Sequence, residues 1–78
     1  INDLIVFEAN DIVHVKSSNN SEITSVVVHD ILGRLLLDTK PNMTFTELEA
    51  KRFNSGTILI IQVTLNDNVT LVKKFVKR

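Results

Sequence analysis

The 78-residue chain has no cysteine, no tryptophan and no tyrosine, a single proline, two glycines and only two alanines. Without cysteine it can form no disulfide framework, no thiolate metal site and no cysteine nucleophile, so its core must hold unaided. The scarcity of alanine leaves few strong helix formers, while Ile, Val and Thr supply 25 residues, and β-branched side chains suit pleated strands better than helices. No apolar run approaches the roughly 20 residues a transmembrane helix needs, and Ile1 to Ala9 is too short and too acidic for a secretory signal peptide; no membrane insertion is expected. With 44% hydrophobic residues and equal numbers of acids and bases the chain reads as a globule, a single domain able to bury about 63% of its unfolded surface. The first residue is Ile1 and the only methionine is Met43, so we expect a piece of a longer protein.

The order of apolar runs and turn residues predicts an all-β fold. Leu4 to Ala9 and Ile12 to Ser17 flank Asn10-Asp11, which reads as a hairpin, with Val13 and Val15 on the core-facing side of the second strand. Ser17 to Ser21 is the most polar run and suits a loop crossing the end of a sandwich. Ile23 to Asp30, with three consecutive valines at 26–28, reads as a strand with little free surface, and Leu35 to Asp38 as its short neighbour. Thr44 to Leu48 is a weaker strand, and Glu49 to Asn54 a loose helical turn or loop. Thr57 to Leu65 and Val69 to Val76 flank Asn66-Asp67-Asn68, which predicts a closing hairpin. Seven or so short strands at this spacing imply an immunoglobulin-like antiparallel β-sandwich without the Cys and Trp of antibody domains.

Candidate chemistry is sparse. His14 and His29 lie on different strands without metal-ligand spacing, and each reads as a sheet-surface residue. Glu47 and Glu49 share one face of a strand, where neighbouring carboxylates are usually solvated. The three acceptor patterns for glycosylation, at Asn19, Asn42 and Asn68, read as turn residues. There is no glycine-rich phosphate loop, so no catalytic residue, cofactor or metal is expected. Charge is uneven: residues 1–50 hold eight acids and three bases, whereas residues 51–78 hold one acid and six bases. Lys73, Lys74, Lys77 and Arg78 alternate with Phe75 and Val76 at the end. Lysine on an edge strand discourages pairing with other strands, and four bases without Tyr or Trp make a poor nucleic-acid surface.

Val28-His29-Asp30-Ile31-Leu32-Gly33-Arg34 has a mechanical reading. Asp30 can accept backbone N–H bonds at the start of a turn, and Gly33 supplies the positive φ that returns the chain as a hairpin. A second glycine, in Phe53-Asn54-Ser55-Gly56, precedes Ile58-Leu59-Ile60-Ile61-Gln62-Val63, and the chain closes on Val72-Lys73-Lys74-Phe75-Val76-Lys77-Arg78. In order and spacing these three motifs resemble the C-terminal sorting domains of proteins exported by the type IX secretion system of Bacteroidetes, closest to the flavobacterial type A or type C variants. His29 stands where that family often has Tyr.

The resemblance implies a non-catalytic β-sandwich that addresses a larger cargo protein. It would be read in the periplasm by the outer-membrane translocon and a β-barrel shuttle protein, with the cargo passing to the cell surface or medium and the domain often removed by a sortase-like peptidase. It implies that Lys73, Lys74, Phe75, Val76, Lys77 and Arg78 meet the translocon, and that Asp30, Gly33, Arg34 and Gly56 form the shared turns. A receptor could combine strand-edge pairing with acidic pockets for the cations; on that expectation, deleting Val76 to Arg78 abolishes export while the cargo stays folded. The alternative is an immunoglobulin-like structural or adhesive module of a surface protein.

Overall fold

A computed structural model describes residues 4–77. Seven strands form two antiparallel sheets: β1 (Leu4–Ala9), β2 (Ile12–Ser17), β3 (Ile23–Asp30), β4 (Leu35–Thr39), β5 (Phe45–Glu49), β6 (Ile58–Leu65) and β7 (Thr70–Val76). The first sheet has the order β1-β2-β5 and the second β4-β3-β6-β7. The return of β5 to pair with β2, after β3 and β4 have joined the other sheet, gives the crossed connectivity of immunoglobulin-like sandwiches. A 3-10 turn at Ala50–Arg52 follows β5, and the buried side chains of Ala50 and Phe53 close one end of the core.

Period-2 patterning decides which face of each strand turns inward. In β6, Leu59, Ile61, Val63 and Leu65 are fully buried, opposite Asp30, Val28, Val26 and Ile23 of β3. Val13 and Val15 of β2 complete the centre, with Leu4 and Leu48 from the strands beside it. β3 has little free surface, as its apolar run predicts: none of its residues is exposed, and Val27 is half-buried on the outer face while Val26 and Val28 are sealed. A two-layer sandwich covers only one face of each sheet, so even a strand in mid-sheet alternates. In β4 only Leu37 packs on the core, and Leu35 and Leu36 are exposed because β4 is an edge strand.

The turns follow from residues that tolerate left-handed backbone. Asn10 and Asp11 both have positive φ, 54° and 64°, the signature of a type I′ hairpin. In the β6–β7 hairpin, Asn68 at φ 65° donates its N–H to the Leu65 carbonyl, while the Leu65 N–H bonds the Val69 carbonyl at 2.8 Å. Where the chain crosses between sheets, buried Ser17 accepts the Ser21 N–H on its Oγ at 2.8 Å and donates to Asn19 Oδ1 at 2.9 Å.

Edge strands β1 and β7 lie side by side without a backbone ladder, and a side-chain pair spans them. Lys77 Nζ reaches Glu8 Oε2 at 3.2 Å, both side chains being largely withdrawn from solvent. Glu8 falls on the inward side of β1, in phase with Leu4 and Val6, so it is a carboxylate in an otherwise apolar row. Removing one member of such a pair strands the other charge, whereas replacing both by apolar groups can be neutral. Glu8→Gln is therefore expected to lower unfolding stability by roughly 2 kcal/mol in denaturant titration. The Glu8→Leu/Lys77→Met double variant should recover most of that loss; equal losses in single and double variants would show that the pair does not join the sheets.

Candidate docking surface

The β3–β4 turn is built around one carboxylate. Asp30 ends β3 on its inward face and is 6% exposed. Its Oδ1 accepts the Leu32 and Arg34 N–H groups at 3.0 and 2.9 Å, and its Oδ2 accepts Arg34 Nε–H at 2.6 Å. The Gly33 N–H bonds the Asp30 carbonyl at 3.0 Å and the Asp30 N–H bonds the Arg34 carbonyl at 3.1 Å. This is the three-residue hairpin seen again at Leu65 to Val69, with Gly33 at φ 84° in the place of Asn68. Burial pushes the Asp30 carboxyl up, but the Arg34 N–H, the Arg34 side chain and the Leu32 N–H outweigh it and hold the group below its ordinary value of 3.8. The turn leaves Ile31 and Leu32 uncovered, at 63% and 78% exposure.

Gly56 sits beside this turn. The Thr57 N–H closes a tight bend on the Asn54 carbonyl, and Gly56 takes φ 82°. From there the Gly56 N–H donates to the Lys77 carbonyl at 2.7 Å, and the Lys77 N–H returns to the Thr57 carbonyl at 2.9 Å, extending the β6–β7 pairing beyond Val76. Asp30 is opposite Leu59, and Ile58 is opposite Val76. The three motifs, far apart in sequence, thus meet at one end of the four-stranded sheet. A shallow groove of about 300 Å³ runs between the two turns, lined by Ile31, Leu32, Arg34, Gly56, Thr57 and Ile58, with Asp30 at its base.

The basic chain end is not uniformly displayed. Lys74 and Val76 point outward from edge strand β7, and Phe75 turns toward the core and is half-buried against it. Lys73 lies in phase with Leu71 and Phe75 and is half-buried at the rim. Lys77, grouped by sequence with the displayed cations, is instead 8% exposed and occupied by Glu8. Arg78 lies outside the described residues. The role of Glu8 was missed in the sequence reading; its signal is the acidic residue at the third inward position of β1.

Elsewhere, His29 and Asp30 are neighbours on opposite faces of β3. His14 is on the outer face of the other sheet, stacked on Phe7 with ring centroids 4.7 Å apart and 3.8 Å from Glu47. Folding does not gather the histidines with Asp30.

A family model described as a domain of unknown function (DUF8694) matches residues 1–77. The chain belongs to this family. No curated protein matches it in sequence. The DUF8694 match spans both sheets, the Asp30–Arg34 and Gly56 turns and the final segment as far as Lys77.

Two outcomes follow for this DUF8694 domain. A carboxyl with a depressed folded-state pKa contributes its full stability above the unfolded value and loses it as pH falls through the folded value. Asp30→Asn should therefore melt below wild type at neutral pH, and the gap should close as pH is taken below 3.8; a gap constant down to acid pH would exclude the carboxylate as its source. A Cβ on Gly33 meets no atom within 4 Å, so Gly33→Ala is opposed by backbone angle alone. It should cost about 1–2 kcal/mol, and Gly33→Asn distinctly less, by thermal unfolding.

Proposed function

We propose that this domain is a C-terminal sorting signal that directs a larger cargo protein through the type IX secretion system of Bacteroidetes. It is recognised in the periplasm by the outer-membrane translocon and its β-barrel shuttle protein. The observation that supports the reading is the convergence of the Asp30–Arg34 turn, the Gly56 turn and the 72–77 segment at one end of one sheet. Strand register brings the motifs together, and the end they share carries uncovered Ile31 and Leu32, the kind of contiguous surface that a receptor requires. β7 adds an outward-facing cation, Lys74, for which a receptor can offer an acidic pocket.

Lys77 changes how the reading is tested. Deleting Val76 to Arg78 removes the ion pair to Glu8 and the backbone bonds to Gly56 and Thr57, so failed export would not separate lost recognition from unfolding. Substitutions at exposed positions do separate them. With residues 1–78 fused behind a periplasmic reporter in a bacterium that has this secretion system, the wild-type fusion should reach the surface or medium. Ile31→Ser/Leu32→Ser should retain the melting temperature yet lower export by roughly tenfold or more, since burying such side chains is worth about 1.5–3 kcal/mol each. Wild-type reporter held beneath the outer membrane would overturn the assignment.

A second reading, an adhesive or structural module, is favoured by the outer face of the three-stranded sheet, where Phe7, His14, Lys16 and Phe45 line a depression of about 360 Å³. On that reading, substitutions there alter attachment, and the fused reporter is not exported even by the wild-type domain.

A further inference from the structure

The Asp30–Arg34 pair leaves a directional donor group unused. Asp30 engages the Arg34 guanidinium through Nε alone; the terminal nitrogens make no hydrogen bond among the described residues, and the Arg34 side chain is 75% exposed. Engagement at Nε leaves the terminal edge of the guanidinium without a bond to Asp30. That edge can meet a carboxylate through two parallel N–H···O bonds. Asp30 is itself immobilised by the Leu32 and Arg34 backbone N–H groups, so the arginine is ordered before any partner arrives, which reduces the entropy lost on binding. On either side lie uncovered Ile31 and Leu32 and the Gly56–Ile58 wall of the groove. A lysine at position 34 could neutralise Asp30 but could not hold it and present a planar fork as well.

We propose that this groove receives a carboxylate of a partner protein, carried by an Asp or Glu flanked by apolar residues, with Arg34 as the directional donor and Ile31 and Leu32 as apolar anchors. This rests on the sorting reading, in which the partner belongs to the translocon, and it names the chemistry that the partner must offer. Because Asp30 offsets the charge of Arg34, recognition here comes from hydrogen-bond direction more than from long-range attraction.

The test uses the ¹⁵N-labelled 78-residue chain and two synthetic probes, acetyl-Val-Asp-Val-Asp-Val-amide and the same peptide with Asn in place of Asp. The acidic probe should shift the amides of Ile31, Leu32, Arg34, Gly56, Thr57 and Ile58 together with the Arg34 Nε–H, and bind roughly tenfold more tightly than the Asn probe. Arg34→Gln and Arg34→Lys should both lose that preference while leaving core amide shifts unchanged. Equal binding of the two probes to the wild-type chain, shifts centred elsewhere, or full preference in Arg34→Lys would each overturn the proposal. The reporter fusion keeps the two failures apart. Export of Arg34→Gln at the wild-type level rejects the carboxylate partner and leaves the sorting function standing; failure of the wild-type fusion rejects the sorting function, and the probe comparison still decides the chemistry of the groove.

Discussion

The register between β3 and β6 is the constraint on which the remaining geometry depends. Because side chains alternate, a slip of one residue would turn Leu59, Ile61, Val63 and Leu65 to solvent and bring Ile58, Ile60, Gln62 and Thr64 inside. Burial of that row therefore locks the register, and the register places Asp30 opposite Leu59. β6 in turn pairs with β7 so that Val76 falls opposite Ile58. The end of the sheet is thus assembled as a by-product of core packing several residues away. Core and docking surface are coupled through backbone ladders, with no direct side-chain contact required.

Two further interactions finish the end so defined. One is the Asp30 carboxylate, which takes three hydrogen bonds from its own turn and holds Arg34 sideways. The other is the Glu8–Lys77 pair, which ties the chain end to the opposite sheet. The first organises an exposed turn and leaves its apolar tips uncovered; the second withdraws a cation from solvent. Together they divide the charged residues near the chain end into those that hold the sandwich together and those left outward, Lys74 and Arg34 among them.

Much of the fold was legible because its signals are local. Asn10-Asp11, Asp30 to Gly33 and Asn66 to Asn68 are turns dictated by residues that accept positive φ, and the strands between them follow from alternation. Val13 and Val15 were assignable to the core by phase alone. Exposure that depends on place in the sheet was not legible: Val27 lies half-buried on an outer face and Leu35 and Leu36 are exposed on an edge strand, neither of which a run of apolar residues reveals. Asp30, Gly33, Arg34 and Gly56 were recognisable as turn residues, but their adjacency arises from pairing of strands distant in the chain.

The amino-acid order by itself determined the all-β class, the strand positions to within a residue at each end, the turn geometry and the role of Asp30 as an acceptor, because each arises from interactions within a few residues. Tertiary structure alone decided that Lys77 is buried against Glu8, that β7 is an edge, and that three motifs share one end of the sandwich. Those outcomes depend on which strands become neighbours and in what register, and that is decided by the whole apolar core rather than by any one segment.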